Sequence, residues 1–280
     1  MTSDERYASA IGRTECTRAS LDAGPADRLT AALDYADPAF SDGDVLPHAW
    51  HWLYFHAMPR ASLLSADGRG ASGGLMPPFP GLARMWAGGS FTFLAPLRIG
   101  ETIERRSQLA SITEKSGRSG PLVVTRIEHD YAGPTGSCVR ERQEIVLRQP
   151  TGYSGAADGE RATTQPSWSR EIIPDEVLLF CFSALTYNPH RIHYDLRYAT
   201  EAEGYPGLLV QGPLTCVLLL DLIRRSLPDR PLAAFEYRAM RPLICGRALA
   251  LKGAATADSV EVWAEDDRGL VAMRGRASFA

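Results

Sequence analysis

"LTYNPHRIHYD", Leu185 to Asp195, is the stretch on which the reading of this chain turns. It gathers Asn188, His190, His193 and Asp195 and holds two of the chain's six histidines. Before it runs "PDEVLLFCFSAL", an apolar segment in which Pro174 suits a first helical position and Asp175 and Glu176 suit the positive end of a helix dipole. After it comes "GYPGLLVQGPLTCVLLLDLIRRSL". Its apolar part from Leu214 to Ile223 is long enough for a buried helix, opened by Gly212 and Pro213 and closed by the cations Arg224 and Arg225. By itself a polar, histidine-bearing segment at the end of a buried helix is either a catalytic loop or a polar turn.

Farther out the chain alternates. "SFTFLAPLRIGETIERRSQLASITEK", "PLVVTRIEHDYAG" and "CVRERQEIVLRQ" read as three or four antiparallel strands, with "GRSG" (Gly117 to Gly120) as a hairpin connection. The last fifty residues alternate again and turn at Gly246, "GAATADS" and "DDRG", which predicts about four more strands. "FTFLAPLRIGETI" (Phe91 to Ile103) echoes "FEYRAMRPLICGRAL" (Phe235 to Leu249), the mark of an internal duplication. Residues 151–169 have the Gly/Ala/Ser/Thr/Pro composition of a linker. The expected division is therefore an N-terminal extension over 1–44 with a short helix around Ala26–Ala36, a first unit over 45–150, the linker, and a second unit over 170–280.

Composition narrows the partners. The 280 residues carry 30 Lys+Arg against 33 Asp+Glu, a net charge of −3, which offers no general attraction for nucleic acid or an anionic membrane. No window approaches a membrane span and the N-terminus lacks a signal-peptide pattern, so a cytoplasmic protein is expected. The five cysteines are scattered without a CxxC pair, and the histidine pairs His48/His51 and His190/His193 at i, i+3 spacing are weak as ligands. No metal and no cofactor is expected.

With these motifs in view, the second half resembles the type-2 enoyl-thioester hydratases of the MaoC-like hot-dog superfamily. Their signature is a Ser-Gly-Asp-x-Asn-Pro-x-His loop followed by a helix opened by His-Gly. Matched outward from His193, Asn188 falls at the family's Asp, His190 at its Asn, and Gln211-Gly212 at the His-Gly pair. "PHAWHWLYF", "RMWAGGSFTF", "EKSGRSGPLV" and "GYPGLLVQGPL" extend the similarity to a narrower double hot-dog group that includes mesaconyl-C4-CoA (3-methylfumaryl-CoA) hydratases and fungal-type hydroxyacyl-thioester dehydratases.

The resemblance implies an α+β double hot-dog fold: two units of antiparallel sheet, each wrapped around a central helix, packed as a pseudo-dimer. It also implies a hydro-lyase acting on a 2-enoyl or 3-hydroxyacyl thioester, with the catalytic loop in the C-terminal half. Such chemistry needs a base for water, an acid for the α-carbon and donors for the developing enolate oxygen. His193 is the expected acid and base, since imidazole titrates near working pH. Asn188 cannot act as a base and is assigned an orienting role; Asp195 and Glu203 are alternative carboxylates. Gly212 is expected to offer a backbone N–H at the positive end of a helix.

Tyr187, His190, Gln211 and Trp86 are the expected substrate contacts, with Arg84 and Arg118 as guanidinium partners for a dicarboxylic acyl group or for CoA phosphates. The expected partners are an acyl-CoA or acyl-carrier-protein thioester and a second copy of the chain. Two further readings stand beside the hydratase: an acyl-carrier-protein dehydratase of polyketide or fatty-acid synthesis, and a non-catalytic acyl-thioester binding protein.

Overall fold

The structure, a computed structural model, describes residues 7–70, 74–117, 120–149, 153 and 159–280. Ten strands join in one antiparallel sheet: β1 (Thr14–Ser20), β2 (Ala83–Phe93), β3 (Thr102–Gly117), β4 (Gly120–Gly133), β5 (Gly136–Arg148), β6 (Trp168–Ile172), β7 (Leu232–Ala239), β8 (Leu249–Ala255), β9 (Ser259–Glu265) and β10 (Val271–Phe279). They run in the order β1-β3-β4-β5-β2-β7-β10-β9-β8-β6. Two halves of five strands therefore meet at the β2–β7 seam, where Phe91 faces Phe235 in antiparallel register. These are the two phenylalanines at which the sequence echo begins. A residue paired with its own counterpart is what a twofold between duplicated units produces.

Among the described residues three α-helices complete the fold: α1 (Ala23–Ala32), α2 (Glu176–Leu185) and α3 (Gly212–Ser226). Leu214 to Ile223 are all buried in α3, against β6, β8, β9 and β10. Such a helix is apolar all round because the sheet wraps it. Its one acid, Asp221, is bonded by Arg224 at 3.1 Å.

The repeat extends to backbone hydrogen bonds. Gly100 N bonds Leu21 O at 2.8 Å and Gly246 N bonds Pro174 O at 2.7 Å. Leu46 N bonds Leu97 O at 2.8 Å and Val210 N bonds Leu243 O at 2.9 Å. The helices α1 and α2 are each followed by a left-handed residue, Asp34 (φ 54°) and Tyr187 (φ 47°). Residues 14–32, in the segment read from sequence as an extension, thus contribute an edge strand and a helix that correspond to β6 and α2. Beyond the left-handed residue the repeats diverge. The N-terminal one runs from Asp34 to Leu46, whereas the C-terminal one takes from Tyr187 to Val210, and the added length is the histidine loop.

Helix ends differ from the sequence expectation for local reasons. α1 begins and ends earlier than Ala26–Ala36, because Asp34 turns left-handed, a conformation Asp tolerates better than most residues. Pro174 lies outside α2. The N-cap is Asp175, whose side chain accepts the Leu178 N–H at 2.8 Å. No helix among the described residues is long and apolar enough to cross a membrane.

Candidate active site

The histidine loop is built on the end of α2. Asn188 N returns to Ser183 O at 2.8 Å, and Asn188 Oδ1 accepts the His190 N–H at 3.2 Å, a local turn that only a short side-chain acceptor can close. A 3-10 turn over Arg191–His193 follows and buries His193. His193 Nδ1 lies 2.9 Å from Leu209 O, on the segment leading into α3. A carbonyl can only accept, so Nδ1 carries the hydrogen and Nε2 keeps its lone pair. Burial pulls the His193 pKa down to about 4, with the Leu209 carbonyl opposing and the nearby Arg69 charge reinforcing the shift. The ring is a neutral base at neutral pH.

His190 stands edge-on to His193, ring centres 5.5 Å apart at 89°. Its pKa falls to about 3, from burial first and then the charges of Arg69 and His193. Its buried Nε2 meets no hydrogen-bond partner among the described residues. A buried polar atom left this way marks a place where something polar is to be met.

The N-terminal half closes over this loop with a turn that sequence reading passed over. Asp67 O accepts the Arg191 N–H at 2.9 Å, and Ala66 O accepts Arg191 Nη1 at 3.0 Å. Gly68 (φ 86°) lies so close to Pro189 that a Cβ there would sit 2.0 Å from its carbonyl oxygen. The turn brings Arg69 to the histidines. Arg69 Nε donates to Asp67 Oδ2 at 2.6 Å, and Nη1 donates to Arg84 O at 2.9 Å. Among the described residues this is the part of the site that the sequence reading missed. Its signal was a Gly-containing irregular stretch between regular segments, where functional residues concentrate.

Trp86, on β2, forms a wall beside the start of α3. A Cβ on Gly212 would come within 2.7 Å of the Trp86 ring. The ring stacks on Tyr237 at 4.7 Å and meets Trp52 edge-on at 5.7 Å. The Gly212 N–H has no acceptor among the described residues, and Pro213 follows it, so it is an open donor at the positive end of α3. Trp52 is held in turn, donating Nε1 to the buried Glu141 at 3.0 Å.

Other sequence candidates find different places. Gln211 is completely buried, and its Nε2 donates to Leu179 O at 2.9 Å and Ser183 Oγ at 2.8 Å. It ties the helix start to α2 through its NH2 group, while its buried Oε1 meets no hydrogen-bond partner among the described residues. Tyr187 is half exposed on the outside of the turn. Asp195 is engaged by Arg191 at 2.7 Å and caps Tyr198 N at 3.0 Å, and Glu203 accepts from Tyr198 at 3.1 Å. Neither is a free base. Arg118 lies outside the described residues. No group of three or more His, Cys, Asp or Glu side chains among the described residues forms a metal-binding cluster.

Comparison with known proteins shows the family and the fold. Residues 49–245 match the family model described as hydroxyacyl-thioester dehydratase type 2. The chain is 40% identical over 266 residues to the mesaconyl-C(4)-CoA hydratase of Chloroflexus aurantiacus, covering 94% of each. It is 25% identical to the mitochondrial hydroxyacyl-thioester dehydratase type 2 of Schizosaccharomyces pombe, over 82% of this chain and 86% of that one. Among solved structures it is similar to a MaoC-like dehydratase from Phytophthora capsici, with a TM-score of 0.68 at 15% identity over 96% of this chain and 95% of that one. A Mycobacterium tuberculosis protein described as having a double hotdog fold superposes with a TM-score of 0.57 at 13% identity over 96% of each chain. The fold is the double hot-dog expected from the sequence.

Proposed function

This chain belongs to the hydroxyacyl-thioester dehydratase type 2 family, and we propose from that premise that His193 is the base of its water chemistry. The enzyme is a hydro-lyase of acyl thioesters. In the proposed mechanism, a water oxygen attacks C3 of a 2-enoyl thioester while His193 Nε2 takes one of its protons. The C2–C3 electron pair shifts toward the thioester carbonyl, whose oxygen accepts the Gly212 N–H as charge develops there. The imidazolium then returns its proton to C2. One molecule of water is added and nothing is oxidised or reduced; dehydration is the reverse.

One observation carries this reading: a buried, neutral imidazole whose Nδ1 is fixed on Leu209 O, leaving Nε2 as the lone-pair atom. Asn188 has its oxygen engaged by His190 N, so its NH2 group is what remains to orient water or the carbonyl. The proposed substrate is a 2-enoyl-CoA, with a branched dicarboxylic acyl group of the mesaconyl type favoured by the 40% identical relative.

The test is His193→Gln, an uncharged side chain of similar size, assayed by loss of the enoyl-thioester absorbance on 3-methylfumaryl-CoA and crotonyl-CoA. A fall of about 10³-fold in kcat with a native circular-dichroism spectrum is expected. Wild-type turnover in the variant would end the assignment. The same substrates on a carrier protein distinguish the polyketide or fatty-acid dehydratase, and binding without an absorbance change by wild type would favour the non-catalytic reading.

A further inference from the structure

Glu141, on β5, is a buried carboxylate that takes no part in the chemistry proposed above. Both of its oxygens are engaged. Oε1 accepts from Trp52 Nε1 at 3.0 Å and from Gln143 Nε2 at 2.6 Å, while Oε2 accepts from Tyr131 OH at 2.8 Å and lies 3.4 Å from His51 Nε2. A buried ion is costly to the fold, and an apolar side chain of similar volume often serves stability as well. The duplication supplies that comparison. Glu141 pairs with Phe91 across β2 and β5, and at the equivalent place, opposite Phe235, β10 has the buried Ala277. The sheet itself does not call for a carboxylate there. The N-terminal half differs in having only the 3-10 turn Trp50–Leu53 where the other half begins α3, and Trp52 of that turn is one of the groups Glu141 holds.

From Trp52 the contacts lead to the start of α3. Trp52 meets Trp86 edge-on at 5.7 Å and 83°, and Tyr237 stacks on Trp86 at 4.7 Å and 25°. A bulge between Trp86 and Gly88 in the β2–β5 register re-aims the strand at this point. The Trp86 ring so held lies against Gly212, where a Cβ would come within 2.7 Å of it. Ring contacts leave an indole free to slide, whereas a hydrogen bond to a fixed charge sets its direction. We propose that Glu141 is a positioning residue: through Trp52 it fixes Trp86 against the start of α3, so that the Gly212 N–H is shielded from water on the Trp86 side. This rests on the reading of Gly212 as donor to the thioester oxygen. A donor held in a water-excluded place stabilises developing charge more than one that must first be freed from water. The N-terminal half thus spends a buried carboxylate on the other half's site.

Acetoacetyl-CoA tests this without turnover. Its enolate absorbs in the near ultraviolet, and a donor at the thioester oxygen raises the enolate fraction at fixed pH, so the band of the bound ligand measures the donor. Trp52→Phe and Tyr131→Phe each remove one donor from Glu141 and keep a ring, but only Trp52 touches Trp86. In Trp52→Phe the enolate-to-keto ratio should fall about 10-fold, with kcat on crotonyl-CoA down by a similar factor and KM within about twofold. Tyr131→Phe should keep all three within about twofold of wild type. Glu141→Leu should match Trp52→Phe in its folded fraction; if it does not fold, the phenylalanine pair still decides. Equal deficits in the two phenylalanine variants, or a wild-type band in Trp52→Phe or in folded Glu141→Leu, would overturn the inference while leaving Gly212 as donor. A wild type that hydrates crotonyl-CoA yet shows no enolate band would remove Gly212 as donor, and the positioning role with it.

Discussion

If His193 is the base, the acid limb of the pH–rate profile reports its ionisation in the free enzyme, and the structure sets where that limb falls. An imidazole in water titrates near 6.5, whereas burial brings His193 to about 4. At pH 5 about nine-tenths of such a base is still neutral, against about 3% for an unperturbed histidine, a roughly 30-fold difference in kcat/KM relative to the plateau. The profile should therefore be flat from neutrality to about pH 5. Stability moves the other way. A histidine with a depressed folded pKa contributes stability that is present above 6.5 and lost as pH falls from 6.5 toward 4, with a slope of about 1.4 kcal/mol per pH unit. Initial rates on a 2-enoyl-CoA must therefore be paired with recovery on return to pH 7.5, to separate titration from unfolding. Arg69→Gln removes a like charge, which should move the limb upward by less than burial moves it down, since burial is the larger cause. A reversible acid limb near pH 6.5 in wild type would refute the neutral buried base.

Gly212→Ala places a methyl group 2.7 Å from the Trp86 ring; a drop of about 10²-fold in kcat with a smaller change in KM is expected if the N–H serves the enolate oxygen. Gly68→Ala combines a left-handed backbone with a clash on Pro189 O, so a loss of about 1–3 kcal/mol by urea titration should accompany loss of activity; unaltered kcat/KM would show that the Asp67–Arg69 turn is dispensable. Glu141→Ala leaves Trp52, Tyr131 and Gln143 without the carboxylate that accepts from them at 3.0, 2.8 and 2.6 Å. A destabilisation of about 3–5 kcal/mol at unchanged m-value is expected.

The C-terminal part of the candidate site was legible in the sequence because its residues are close along the chain. Asn188, His190 and His193 fall within a few residues, and Gly212 opens a helix announced by its own apolar run. The seam was legible through a different signal, the Phe91 and Phe235 segments, which the twofold places face to face. What could not be read is what depends on contact between distant segments. Asp67 and Arg69 precede the histidine loop by more than a hundred residues, and their link to it runs through backbone groups, Arg191 N to Asp67 O and the close approach at Gly68, which leave no mark on side-chain pattern. Gln211 shows the same limit. Its place next to Gly212 was legible, but the bonds from its NH2 group to Leu179 O and Ser183 Oγ depend on how α2 packs against the start of α3.

The duplication relates the two halves position by position. Leu46 and Val210 occupy equivalent positions, so the segment after Leu46 corresponds to the start of α3. There the N-terminal repeat has Ala49 in the left-handed region (φ 66°) and only a 3-10 turn, Trp50–Leu53, in place of a long helix. That turn lays Trp52 against Trp86, and Trp86 against Gly212 of the other repeat. One repeat's helix position has become a wall of the other repeat's site. The N-terminal half has a shorter connection where the C-terminal half carries the histidine loop, and it brings the Arg69 turn against that loop and Trp86 against the start of α3. On the proposed mechanism, changes at His193 or Gly212 should act on every thioester alike, which kcat/KM ratios across acyl groups would show.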